Sequence, residues 1–155
     1  MRVTHPRRVA TVVALAALAL AVACGETGDP DLSVGRAQAA EPVAGASQIV
    51  VEIVNDGDGA DRLVGADTPA ALGVEIHITE IIEGRAVMTE LDTVEVPANR
   101  TVRFRPGELH LMMIVPDDTV QIGATFELTL HFERSGDVTV PVEVVELLDL
   151  TGDGG

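Results

Sequence analysis

Two stretches of this chain alternate apolar and polar side chains with a period of two, and that alternation decides what the chain can fold into. Gly73-Val74-Glu75-Ile76-His77-Ile78-Thr79 puts Val74, Ile76 and Ile78 on one face and Glu75, His77 and Thr79 on the other. Phe126, Leu128, Leu130 and Phe132 form one face of the second stretch, with Glu127, Thr129, His131 and Glu133 opposite. A helix would scatter these residues around its axis, whereas a strand with one buried face sorts them. Further extended runs are read at Ile49–Val54, Ala86–Met88, Thr93–Val96, Thr101–Arg105, Leu109–Val115 and Val138–Leu147. Glu83-Gly84 reads as the hairpin turn that returns the chain into Met88, and Ser135-Gly136 as another. Pro141 cannot donate to a ladder, so it marks an edge or a bulge in the last run. Asn55 to Gly59 is read as a hairpin turn, since it lacks the central Gly and closing Glu of a calcium loop. Eight or nine short strands between turns predict an all-β, Ig-like β-sandwich with Greek-key connections and no long helix.

Composition narrows the core and the partners. Aromatics make up only 2% of the 155 residues, with no Trp and no Tyr, so Val, Leu, Ile, Ala and three Phe must fill the interior. Lys is absent and all ten basic residues are Arg, against 25 acidic residues, for a net charge of −15. Such a surface repels phosphates and excludes a nucleic-acid partner. Cys24 is the single cysteine, which rules out a disulfide framework and any CxxC site.

The position of Cys24 gives it a meaning. Residues 1–23 carry Arg2, Arg7 and Arg8 and then an apolar run from Val9 to Ala23, the pattern of an export signal. Ala21-Val22-Ala23-Cys24 resembles a bacterial lipobox, with Ala21 where the strongest examples have Leu. Cleavage there would leave Cys24 as a lipidated N-terminus, anchored on the outer face of the cytoplasmic membrane or in the periplasm. Residues 24–47, rich in Ala, Gly, Asp and Pro, are expected to be a flexible tether. Residues 48–150 are expected to form the domain, and 151–155 a flexible tail.

Outside the signal the chain has three His and three Met, and four of these six fall in one pattern. His77, ten residues, Met88, twenty-one residues, then His110-Leu111-Met112 make H-x10-M-x21-H-x-M. His110 and Met112 are two apart and share a strand face. His77 lies on the polar face of its strand, and the Glu83-Gly84 hairpin returns Met88 toward it. The four could therefore converge on a shallow site at one end or edge of the sandwich. Thioether sulfur and imidazole nitrogen suit the soft ion Cu(I), and thioethers form no disulfides in an oxidising compartment. A blue-copper centre is excluded by the lack of a cysteine ligand beyond Cys24. Met113 alternates with Leu111 and is expected in the core. His131 is expected to be a solvated or hydrogen-bonded histidine that binds no metal.

This spacing resembles the signature of the PCu(A)C family of extracytoplasmic copper chaperones. Asp61 to Ala66, Val94 to Ala98, Arg105 to Met112 and Thr125 to Glu133 resemble further family segments, so the likeness covers about residues 48–146. Leu109 stands where the family often has an aromatic residue, and Ile114-Val115 where it often has Met-Gly. The resemblance implies a cupredoxin-like β-sandwich, a monomer that is not an enzyme, with Cu(I) held by His77, Met88, His110 and Met112. It further implies delivery to the copper centres of a respiratory oxidase or to another copper chaperone. A competing reading is an Ig-like surface lipoprotein that binds protein or cell wall without metal. Hydrolases find no support, since neither GxSxG nor HExxH occurs.

Overall fold

The structure is a computed structural model and describes residues 28–150. The expected signal at residues 1–23, the lipidation site Cys24 and the tail at 151–155 lie outside the described residues. The strands run β1 (Leu32–Val34), β2 (Ala37–Ala40), β3 (Ala46–Val50), β4 (Glu52–Asn55), β5 (Asp61–Asp67) and β6 (Ala71–Ile82). They continue as β7 (Arg85–Leu91), β8 (Val94–Val96), β9 (Arg100–Arg103), β10 (Leu109–Pro116), β11 (Thr125–Phe132) and β12 (Gly136–Val145). A 3-10 turn at Leu147–Asp149 is the one helical element among the described residues.

The alternation read in β6 and β11 is what folds the molecule. Ile76, Leu128, Leu130 and Phe132 are buried in one core together with Ile49, Leu63, Leu111, Met113, Val142 and Val144. Nine strands hydrogen-bond in the order β7-β6-β10-β3-β2-β12-β11-β5-β8. A further pairing of β5 with β6, at Ala66 and Val74, closes the seven strands from β6 through β5 into a ring. Closure pairs the strands of the ring on both sides, and leaves β7 and β8 as the outermost strands of the sheet. A second sheet, β1-β4-β9, contributes Ile53, Val102, Leu32 and Val34 to the same core.

The expected tether is corrected from Leu32 onward, because β1 and β2 are strands of the domain. β2 lies in the middle of the ring, antiparallel to β3 and parallel to β12. All four of its residues are buried: Ala37 and Ala39 in the main core, Ala40 beside Val50 and Leu150. Three of the four are Ala, a composition that an apolar-period reading does not register as a buried strand.

The Asn55 to Gly59 turn is also corrected. It joins β4 in one sheet to β5 in the other, so it is a corner between sheets and not a hairpin. Fully buried Asn55 organises it: Nδ2 donates to the carbonyls of Gly59 and Val96, and Oδ1 accepts from the N–H of Asp31 and of Gly57. Every bonding position of that amide is used inside the fold. Pro141 sits where β12 has β11 alone as neighbour, since the pairing with β2 begins at Val142.

Candidate metal centre

Three adjacent strands build the site. β6 and β7 are joined by the Glu83-Gly84 turn, whose φ angles of 51° and 76° are those of a type I′ hairpin. That turn fixes the register, setting Met88 opposite Thr79 and Glu90 opposite His77. On the other side of β6, strand β10 sets His110 opposite His77 and Met112 opposite Glu75. Residues directly opposite across antiparallel strands share a face. His77, Met88, His110 and Met112 therefore all lie on one face, outside the ring, with the core residues Ile76, Leu111 and Met113 pointing the other way. The histidine pair forms the centre, and the methionines approach on opposite diagonals. The imidazoles meet edge to face, with centroids 5.9 Å apart and planes at 82°.

The shallow site expected from the sequence is corrected on one side. His110 is fully buried and Met112 nearly so, whereas Met88 is 46% exposed. The site thus has a buried inner half on β10 and an open outer half on β7. An apolar cavity of about 170 Å³ adjoins Met112, between it, Ala40, Val43 and Leu147.

Hydrogen bonding fixes what each ring can do. Nδ1 of His110 lies 2.9 Å from the carbonyl oxygen of Glu108, and only an N–H can make that bond. Nε2 of His77 lies 2.9 Å from Oε2 of Glu75, again as the donor. Each neutral ring holds one proton, so Nε2 of His110 and Nδ1 of His77 carry lone pairs. Both of these nitrogens are buried without a hydrogen-bond partner. An unsatisfied buried nitrogen costs roughly 1–3 kcal/mol, and one on each of two neighbouring rings is an arrangement a metal could satisfy. Burial pushes the His110 pKa down, against the opposing bond to Glu108, with the His77 charge acting in the same direction as burial. The shift favours the neutral ring, the form that ligates.

Glu75 and Glu90 were not singled out in the sequence, yet Glu75, His77 and Glu90 bring their ligand atoms within 4.8 Å of one another. The Glu75-x-His77 spacing, which places both on one strand face, was the available signal. Met113 is fully buried in the core, as expected. His131 is held by Asp137 and Asp67, as the hydrogen-bonded reading requires.

A family model for LpqE-like lipoproteins matches residues 31–144. The chain belongs to this family. It is 30% identical over 95 residues to a protein named as a lipoprotein in Leifsonia xyli subsp. xyli, a match covering 59% of this chain. The matched stretch spans 57% and 55% of the lengths of the curated relatives it was compared with. Among solved structures it is similar to a copper-bound PCuAC domain from PmoF2, with 25% identity and a TM-score of 0.63. That match covers 74% of this chain and 92% of the other. Copper(I)-bound DR1885 of Deinococcus radiodurans is similar at 24% identity and a TM-score of 0.61, covering 77% of this chain and 80% of its own. The fold is the cupredoxin-like β-sandwich of PCuAC domains, as the strand pattern and the family resemblance implied.

Proposed function

We propose that this protein is an extracytoplasmic lipoprotein that carries Cu(I) as cargo between His77, Met88, His110 and Met112. The observation that carries the reading is the pair of bare, buried imidazole nitrogens on a face that also presents two thioethers. Soft sulfur and neutral imidazole are the donors Cu(I) prefers, and the site has no thiolate to be lost to oxidation. The copper-bound state of two structurally similar domains supports the same cargo. An inner half that is buried and an outer half reached through exposed Met88 suit an ion that is held and then handed on. Delivery to the copper centre of a respiratory oxidase, or to a second chaperone, belongs to this proposal, as does anchoring through Cys24. The family's description as lipoproteins supports that anchor.

Anaerobic titration with Cu(I) against a competing chelator tests the cargo. One ion per chain, lost when His110 or Met112 is replaced, is the expected result; no competition with the chelator would refute it. Labelling with a radioactive fatty acid, compared between wild type and Cys24→Ala, tests the anchor.

A further inference from the structure

We infer that Glu75 is a positioning residue, which orients the His77 imidazole and holds it in the tautomer that leaves Nδ1 bare for the ion. The inference rests on the reading of His77 as a copper ligand and adds a residue to it. Glu75 and His77 are two apart on β6, so both project from the site face. Oε2 of Glu75 takes the Nε2 proton at 2.9 Å, and no other hydrogen bond to that ring is made among the described residues. Were the bond absent, the ring could turn about its χ2 axis or carry its proton on Nδ1, and either change would withdraw the lone pair. A carboxylate accepting the second N–H of a ligating imidazole also makes the ring a better donor.

His110 shows the same need met by different means. It too is preceded by a glutamate at the i−2 position, but there the backbone carbonyl of Glu108 takes the proton, and the Glu108 side chain is exposed. The two Glu-x-His sequences are therefore alike on paper and unlike in role. Glu90 offers a third contrast. Its carboxylate lies within the same 4.8 Å cluster as His77 but makes no hydrogen bond to it.

These contrasts set the experiment, which uses the full protein without its export signal. Cu(I) affinity is measured by chelator competition for wild type, Glu75→Ala, Glu75→Gln, Glu90→Gln and Glu108→Ala. The ring nitrogens of His77 are read in the metal-free proteins by 15N NMR. Glu75→Ala is expected to weaken binding by about 10–100-fold, the usual cost of losing an outer-shell partner of a ligand. Glu75→Gln, whose amide oxygen can accept the same proton, is expected to recover most of that loss. Glu90→Gln and Glu108→Ala each remove one negative charge. Glu108→Ala is expected to stay within about threefold of wild type, as exposed charges do, and Glu90→Gln to cost clearly less than Glu75→Ala. In the spectra, wild-type His77 is expected as the Nε2–H form, with averaged nitrogens in Glu75→Ala. Glu75→Val, which favours the strand, gives a second variant should Glu75→Ala fold poorly. Equal affinities for wild type and the Glu75 variants would overturn the inference alone. Equal losses in Glu75→Ala and Glu90→Gln would also overturn it, because charge and not position would then be the cause. A wild type that takes up no Cu(I) would instead overturn the copper reading on which it rests.

Discussion

On the β6–β10 face two imidazoles stand against each other with a bare nitrogen apiece, whereas on the β11 face His131 has both nitrogens taken, Nδ1 by Asp137 at 2.8 Å and Nε2 by Asp67 at 2.6 Å. His110 is fully buried, while the His131 side chain is 32% exposed. The first setting withholds partners from a neutral ring, and the second surrounds a ring with carboxylates that favour its charge. Residue type alone would score the two alike. What separates them is which strands they occupy and what stands across from them: histidine and glutamate for His77, glycine and aspartate for His131.

The largest effect expected from this contrast is on copper. His110→Ala should lower Cu(I) affinity by more than the about 10–100-fold that an outer-shell change costs, since it removes a ligand itself. His131→Ala should leave affinity unchanged, because both of its nitrogens are already occupied and it lies on a different face. Chelator competition measures both, and a loss of affinity in His131→Ala would break the distinction. Met112 and Met113 give the same contrast within one strand. Met112→Ala should weaken copper binding and cost less in folding than Met113→Ala, because Met112 lies outside the main core. Met113→Ala should leave binding intact and destabilise the fold by about 2–5 kcal/mol, as a core methionine does. Urea denaturation beside the copper titration separates the two, and similar profiles for both would mean that the alternation along β10 has been misread.

Much of this was legible in the sequence, for definite reasons. Strands β6 and β11 alternate, so period two wrote them plainly, whereas β10 is buried on both faces and read only as an extended run. The Glu83-Gly84 turn set a register in which His77 and Met88 could share a face. The motif spacing then pointed to the same four side chains that β6, β7 and β10 present together. What escaped notice lacks such a signature. β2 is four residues buried on both sides, and Ala37-Gln38-Ala39-Ala40 has no alternation to read. The depth of His110 was hidden as well, because an outward-facing position on the ring can still be buried by whatever packs over that face. Val115 shows a third limit. It stands where the resembled family often has glycine, and it takes a φ of 49°, a conformation that costs a β-branched residue about 1–2 kcal/mol. Nothing in the alternation of β10 announces that kink.

A middle-sized effect tests whether the bare nitrogens trade stability for binding. His110→Leu removes the orphaned Nε2 and fills the space with an apolar side chain of similar reach. The Glu108 carbonyl it releases still accepts the N–H of Thr79 at 3.1 Å, so it is not left unsatisfied. The metal-free variant should therefore be as stable as wild type or more stable by up to about 1–3 kcal/mol, while binding no copper. Thermal unfolding of both apo proteins measures this. A markedly lower midpoint for His110→Leu would mean that the histidine is a structural hydrogen-bonding residue first.

The smallest effect concerns pH and belongs to the other region. The pKa of His131 is raised, first by the hydrogen bond to Asp137, then by that to Asp67, against a weaker opposing effect of burial. Those two carboxylates, Asp67 from β5 and Asp137 from β12, are the charged groups bonded to the ring from the strands on either side. A histidine whose pKa is higher in the folded state binds its proton more tightly there than in the unfolded chain. Its contribution to stability is complete below the unfolded value of about 6.5 and is lost as pH rises through the folded value. Stability of the apo protein should therefore decline as pH climbs above about 6.5, and His131→Asn should flatten that decline. Because the ring is partly exposed, the slope should also shrink in high salt. Denaturation midpoints taken from pH 6 to pH 8.5, with and without the substitution, read the difference directly. A slope that persists unchanged in His131→Asn would place the titrating group elsewhere and would remove the stabilising role assigned to the Asp67–His131–Asp137 bracket.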